Sequence, residues 1–86
     1  MALFKIEWAK SAIKDFSDLP KKERLIILKK IKSLSIEPHP AGSIKLEGSI
    51  DSWRFRYGNY RVIYNIEDQN LTILVIKIGH RKDIYK

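Results

Sequence analysis

Residues 53–61 read Trp-Arg-Phe-Arg-Tyr-Gly-Asn-Tyr-Arg, so Arg54, Arg56 and Arg61 fall within nine positions, laced with Trp53, Phe55, Tyr57 and Tyr60. A guanidinium group is permanently charged and offers a planar fork of donors that matches a phosphate. Three of them in so short a stretch point to recognition of an anion and to stabilisation of charge on a phosphoryl centre. The plainer alternative is a solvated face, each charge lying over a neighbouring ring. A second cluster, Gly-His-Arg-Lys-Asp-Ile-Tyr at 79–85, brings His80, Arg81, Lys82 and Tyr85. Imidazole is the side chain that gains and loses a proton near neutrality, which makes His80 a candidate for proton transfer. His39, between Pro38 and Pro40, is read as inert.

Other chemistries fit the residues poorly. The chain has no cysteine, and its two histidines lack zinc-ligand spacing. Acidic residues are scattered singly, which argues against a two-metal nuclease. No glycine-rich loop precedes a helix to cradle a nucleotide. No cofactor and no metal are therefore expected, and any catalysis must work through cations, tyrosine and histidine.

Lysine and arginine number 17 against 10 acidic residues, a net charge of +7 in 86 residues. So basic a domain calls for an anionic partner, nucleic acid first and an acidic protein second. Apolar residues make up 44% and charged residues 31%, an ordinary balance for one globular domain spanning residues 1–86. Lys5, Glu7, Lys10, Lys14 and Asp15 near the start leave no signal peptide or membrane span to expect there. The lack of cysteine suits a reducing, cytoplasmic setting.

The elements that must position the arginines follow from periodicity. Residues 2–8 alternate as a strand. Ala9, Ala12, Ile13 and Phe16 then follow the i, i+3, i+4, i+7 stripe of an amphipathic helix. Ser-Asp-Leu-Pro at 17–20 breaks it, with Asp18 a candidate cap for a second helix. That helix carries Ile27, Leu28, Ile31 and Leu34 on one side and runs to about Ser35, and lysines 21, 22, 29, 30 and 32 mostly face solvent. Two prolines and Gly42 make residues 36–43 a loop. Three β-rich runs complete the chain, the first two joined by Gly58-Asn59 as a two-residue hairpin turn. The expected fold is α+β: an N-terminal strand, an antiparallel helical hairpin, and a three-stranded antiparallel meander forming one curved sheet with the first strand.

A two-residue turn fixes the register. Tyr57 pairs with Tyr60, Arg56 with Arg61, Phe55 with Val62 and Trp53 with Tyr64. Arg56 and Arg61 then share a face about 5 Å apart at Cβ, with Arg54 one diagonal step away. Trp53, Phe55, Val62, Tyr64 and Ile66 take the other face, where the helices can cover them. Like charges placed opposite one another destabilise a sheet, and such local conflicts concentrate at functional sites.

Ile-Lys-Leu-Glu-Gly at 44–48, the run 53–66 and the run 71–85 resemble the RelE/ParE toxin superfamily, and the order of elements matches as well. The resemblance implies a cytoplasmic toxin neutralised by a cognate antitoxin. RelE-type members enter the ribosomal A site and cleave mRNA there without metal; ParE-type members share the fold and poison DNA gyrase. Carried over by position, the resemblance matches Arg54, Arg56, Arg61, Arg81 and Tyr85. The candidates are then Arg56, Arg61, His80, Arg81 and Tyr85 for catalysis and Arg54, Lys45 and Lys82 for RNA binding. Tyr85 would stack on or orient the nucleotide. The expected function is that of an mRNA interferase acting with the ribosome and mRNA. A ParE-like gyrase inhibitor and a passive basic binding module are the alternatives. One departure stands out: the best-known RelE-type toxins carry lysines where this chain has Arg54 and Arg56, and arginine is a very poor base at neutral pH. His80 is the expected substitute.

Overall fold

The computed structural model describes residues 3–40, 42–46, 48 and 51–80. The N-terminal alternation becomes strand β1 (Lys5–Trp8), shorter than the expected 2–8, with Lys5 and Glu7 exposed and Ile6 and Trp8 turned inward. Helix α1 (Lys10–Ser17) buries Ala12 completely and sets Phe16 edge-on against Trp8, ring centroids 5.3 Å apart. Ile13 departs from the expected stripe and stays 54% exposed.

Asp18 does not cap the second helix. It ends α1, its N–H donating to the Lys14 carbonyl at 3.1 Å, and Pro20 takes the N-cap position of α2 (Lys21–Ser33) without a side-chain bond. Pro20 there leaves Asp18 two residues short of the position whose side chain serves the first free amides. Along α2, Ile27 and Ile31 are fully buried, as is Leu34 just past its end, with Leu28 half-buried beside them.

Four further strands follow: β2 (Ile44–Lys45), β3 (Ser52–Tyr57), β4 (Tyr60–Glu67) and β5 (Thr72–His80). They join β1 in a single sheet of order β1-β5-β4-β3-β2, with β1 parallel to β5 and the other neighbours antiparallel. The expected meander and its union with the first strand are both present. The short edge strand β2 is an addition, since two exposed residues carry no periodicity to read.

The helices cover one face, so Phe55, Val62, Tyr64 and Ile66 pack against Ile27 and Ile31 as the alternation predicts. β1 pairs only with Thr72–Val75 of β5. Beyond it α1 satisfies the strand edge with side chains: Ser11 Oγ donates to the Ile76 carbonyl at 2.9 Å, and the Ile78 N–H donates to Asp15 Oδ2 at 3.1 Å. That holds the far end of β5, where the site lies, without another strand.

The described residues 36–40 and 42–43 form the expected loop, tied to the sheet at two points. The buried Tyr64 hydroxyl donates to the Pro38 carbonyl at 2.9 Å, and the His39 ring meets Trp53 edge-on with centroids 4.4 Å apart. Burial pushes the Tyr64 phenol up to about 12. Among the described residues no helix is long and apolar enough to cross a membrane.

Candidate functional site

The arginine hairpin takes the register its turn dictates. Tyr57 pairs with Tyr60, Arg56 with Arg61, Phe55 with Val62, Arg54 with Ile63 and Trp53 with Tyr64. Gly58 supplies the positive φ of the turn, +57°, and Asn59 stays at ordinary φ. Glycine at the first central position alone is the type II′ pattern, whose twist matches that of the flanking strands. The tip is anchored to α2 through Tyr57: burial and the Glu23 carboxylate raise its phenol above the ordinary value, and Lys30 Nζ lies 5.8 Å from its ring centroid.

Alternation puts Arg54, Arg56 and Arg61 on the face opposite the helices. Their environments differ. Arg56 is exposed, Arg54 is half-buried with its Nε shielded from water and unbonded to any described residue, and Arg61 is only 4% exposed. On its other side Arg61 faces Gly79 of β5, which adds no side chain to the patch. Burying a guanidinium carries a desolvation cost, and placing Arg56 directly across the strand adds repulsion. Guanidinium forks gathered on one face are groups that can bind a phosphate and stabilise negative charge on it.

His80 lies elsewhere. It pairs with Tyr60, so it belongs to the face of Val62 and Ile78, and its ring meets Tyr60 edge-on at 5.5 Å. There it lines a cavity of about 220 Å³ with Asp15, Asp18 and Pro20 from the helical side. The structure therefore does not bring His80 together with the three guanidinium groups. His80 is one residue beyond Gly79, the partner of Arg61, and one residue along a strand changes face. Lys45 pairs with Trp53 and so shares the Trp53 face at the sheet edge, again across from the arginines. Arg81, Lys82 and Tyr85 lie outside the described residues.

Two residues escaped the sequence reading. Gly79, which entered above only as the first residue of the 79–85 cluster, is a strand residue flanking Arg61. Lys30 appeared as one solvent lysine among several, but it joins Arg56 in an open groove of about 310 Å³ between α2 and the β3 edge. No local pattern marks Lys30, because its counterpart comes from another element. Among the described residues no cluster of histidine and acidic side chains could hold a metal ion.

The family model described as "ParE toxin of type II toxin-antitoxin system, parDE" matches residues 6–85. By sequence, the "Putative toxin RelE1" of Methanocaldococcus jannaschii is 31% identical over 86 residues, covering 96% of this chain and 96% of that one. "Toxin RelG" of Mycobacterium tuberculosis is 34% identical over 53 residues, 62% of this chain, so the chain spans only 61% of that relative's length. By structure, the archaeal RelE–RelB complex from Pyrococcus horikoshii OT3 contains a chain that superposes with a TM-score of 0.82 at 32% identity, covering 92% of this chain and 96% of that one.

Proposed function

The chain belongs to the RelE/ParE superfamily of toxins of type II toxin–antitoxin systems, and from that premise we propose that it is a ribosome-dependent mRNA endoribonuclease. The observation that carries this reading is the directly opposed pair Arg56 and Arg61, with Arg54 a diagonal step away on the face of the sheet opposite the helices. The naming of the sequence relatives as RelE toxins supports it.

In the proposed reaction a ribose 2′-OH attacks the adjacent phosphorus. The O2′–P bond forms, the P–O5′ bond breaks, and the proton lost by O2′ is balanced by one gained at O5′. The products are a 2′,3′-cyclic phosphate and a 5′-OH. Charge on the phosphorane is what three guanidinium groups stabilise, with Arg61 held most rigidly and Arg56 and Arg54 flanking it. Arg81 near the leaving group and Tyr85 against a base complete the proposed site. His80, on the other face, takes no part in proton transfer, and catalysis rests on electrostatics and positioning.

The proposed partner is an acidic antitoxin, and the superposed neighbour is itself seen in a RelE–RelB complex. Its support in this molecule is a groove of about 230 Å³ on the helical hairpin, with Phe16, Leu25 and Leu28 apolar and Lys21 and Arg24 at the rim. Such a groove suits an amphipathic helix with acidic flanks.

A second reading is inhibition of DNA gyrase. It is favoured by the ParE description of the matching family and by arginine in place of lysine at 54 and 56. Two assays run side by side separate the readings: toeprinting on ribosomes with a defined A-site codon, and supercoiling by purified gyrase. A cut within the codon with normal supercoiling supports the nuclease. Intact message with blocked supercoiling replaces it by the gyrase reading.

A further inference from the structure

The groove between α2 and the edge of β3 is assigned no role by the arginine face alone. β2 pairs with β3 only at Trp53 and Arg54, so the strand edge beyond Phe55 is uncovered by another strand. Lys30 and Ser33 of α2, Pro40 and Gly42 of the loop, and Phe55 and Arg56 of β3 line the resulting space of about 310 Å³. That size is at the low end of small-ligand sites and suits one nucleotide rather than a folded element.

Its chemistry is one-sided. Lys30 and Arg56 are both exposed, and among the described residues no carboxylate lines the groove. The ion pairs among the described residues, Lys5–Glu7 and Lys77–Asp15, use neither of them. The wall between the cations is apolar, formed by Pro40 and Phe55. Ser33 sharpens the selection: its hydroxyl proton is committed to the Lys30 carbonyl at 2.6 Å, so its oxygen can only accept a bond from an occupant. A ribose hydroxyl or an exocyclic amine satisfies that oxygen, whereas a carboxylate would set acceptor against acceptor. Gly42, at φ +89°, contributes backbone without a side chain to crowd the space.

Arg56 belongs to both places. It stands opposite Arg61 on the face away from the helices and also lines the groove. We propose that the groove is a second nucleotide subsite for single-stranded RNA, in which Lys30 and Arg56 hold the phosphate next to the one on the arginine face, with Ser33 accepting from ribose or base. The subsite rests on the RNA reading of the arginine face. The strand leaves that face over Arg56 and passes between β3 and α2, so Lys30 sets how much of the message beyond the reacting phosphate is gripped.

The test uses the full chain and a fluorescein-labelled trinucleotide with one 2′-O-methyl group, on the nucleotide whose 2′-oxygen would attack, so that it binds without being cut there and keeps its other ribose hydroxyls, followed by anisotropy. Lys30→Ala is expected to weaken binding at least fivefold and to reduce the salt slope by about 0.7, the loss of one phosphate contact on a single strand. Lys22→Ala, exposed on the same helix and outside both grooves, is expected to leave binding within twofold. Amide resonances of Ser33 and Gly42 are expected to shift as the trinucleotide is added. Equal effects of the two substitutions would reduce the groove to diffuse attraction and overturn the subsite. Lys30-dependent binding of an oligoglutamate peptide, without trinucleotide binding, would overturn it in favour of an acidic protein segment. Because no cleavage is read, the two proposals fail separately. Lys30-dependent binding with an intact ribosomal message removes the nuclease and keeps the subsite, and cleavage with Lys30-independent binding does the reverse.

Discussion

Arg61 and Val62 are neighbours in β4, both almost fully buried, and they do opposite work. Val62 points at the helices, among Phe55, Ile78 and Ile31, where removing apolar surface from water stabilises the fold. Arg61 points the other way, toward Arg56 and Gly79, where its charge is shielded from water beside a like charge. One face of the sheet is arranged for stability, and the other carries the arginines on which the proposed phosphate chemistry rests. A single-residue step along a strand separates the two, so the division can be tested residue by residue.

The largest expected effect on stability lies on the covered face. Ile31→Ala removes a fully buried side chain under the sheet and should cost about 2–5 kcal/mol in urea unfolding. Cleavage per folded molecule should stay near normal, and a selective loss of cleavage in a stably folded variant would erase the division of labour. Comparable in energy but opposite in kind is Arg61→Ala. Cleavage per folded molecule should fall by about 100-fold or more, the usual effect of losing a charge-stabilising group.

Tyr64→Phe sharpens the comparison from the covered side. It removes the bond to the Pro38 carbonyl and should cost about 1 kcal/mol at neutral pH. The Tyr64 phenol sits at about 12 in the fold against an ordinary 10.0, so the fold favours its neutral form. Its contribution is therefore complete below pH 10 and is lost as pH rises through about 12. Stability measured from pH 9 to 12 should fall more steeply in the wild type than in Tyr64→Phe; parallel curves would contradict the assignment. The smallest effect is expected for His80→Gln, which should change cleavage less than about threefold because His80 belongs to the Tyr60 face. A loss of tenfold or more, typical of a general acid or base, would return it to the site.

Much of this division was legible in the sequence because it rests on short-range rules. The two-residue turn at Gly58-Asn59 fixed the hairpin register, and period-two alternation then put Arg54, Arg56 and Arg61 on one face and Phe55, Val62 and Tyr64 on the other. The 3.6-residue spacing of Ile27, Ile31 and Leu34 identified the covering helix. What stayed hidden depends on contacts between distant segments. The side of His80 follows from the β4–β5 register, which a longer turn and an irregularity between Ile63 and Tyr64 leave unspecified by local rules. Strand β2 exists because β3 offers an edge, and Lys30 matters because the loop brings Pro40 and Gly42 beside it. Asp18 was misread because the break between helices offers two candidate caps, and Pro20, already fixed near φ −65°, takes the position.

The central claim is that the opposed arginines act on a phosphate. Its most direct test is the single-turnover rate at which wild type and Arg61→Ala cleave a defined A-site codon on purified ribosomes, with the variant's fold verified by circular dichroism. The account predicts a cut inside the codon by the wild type and a rate lower by about 100-fold or more in the variant. Equal rates in two folded proteins would contradict it.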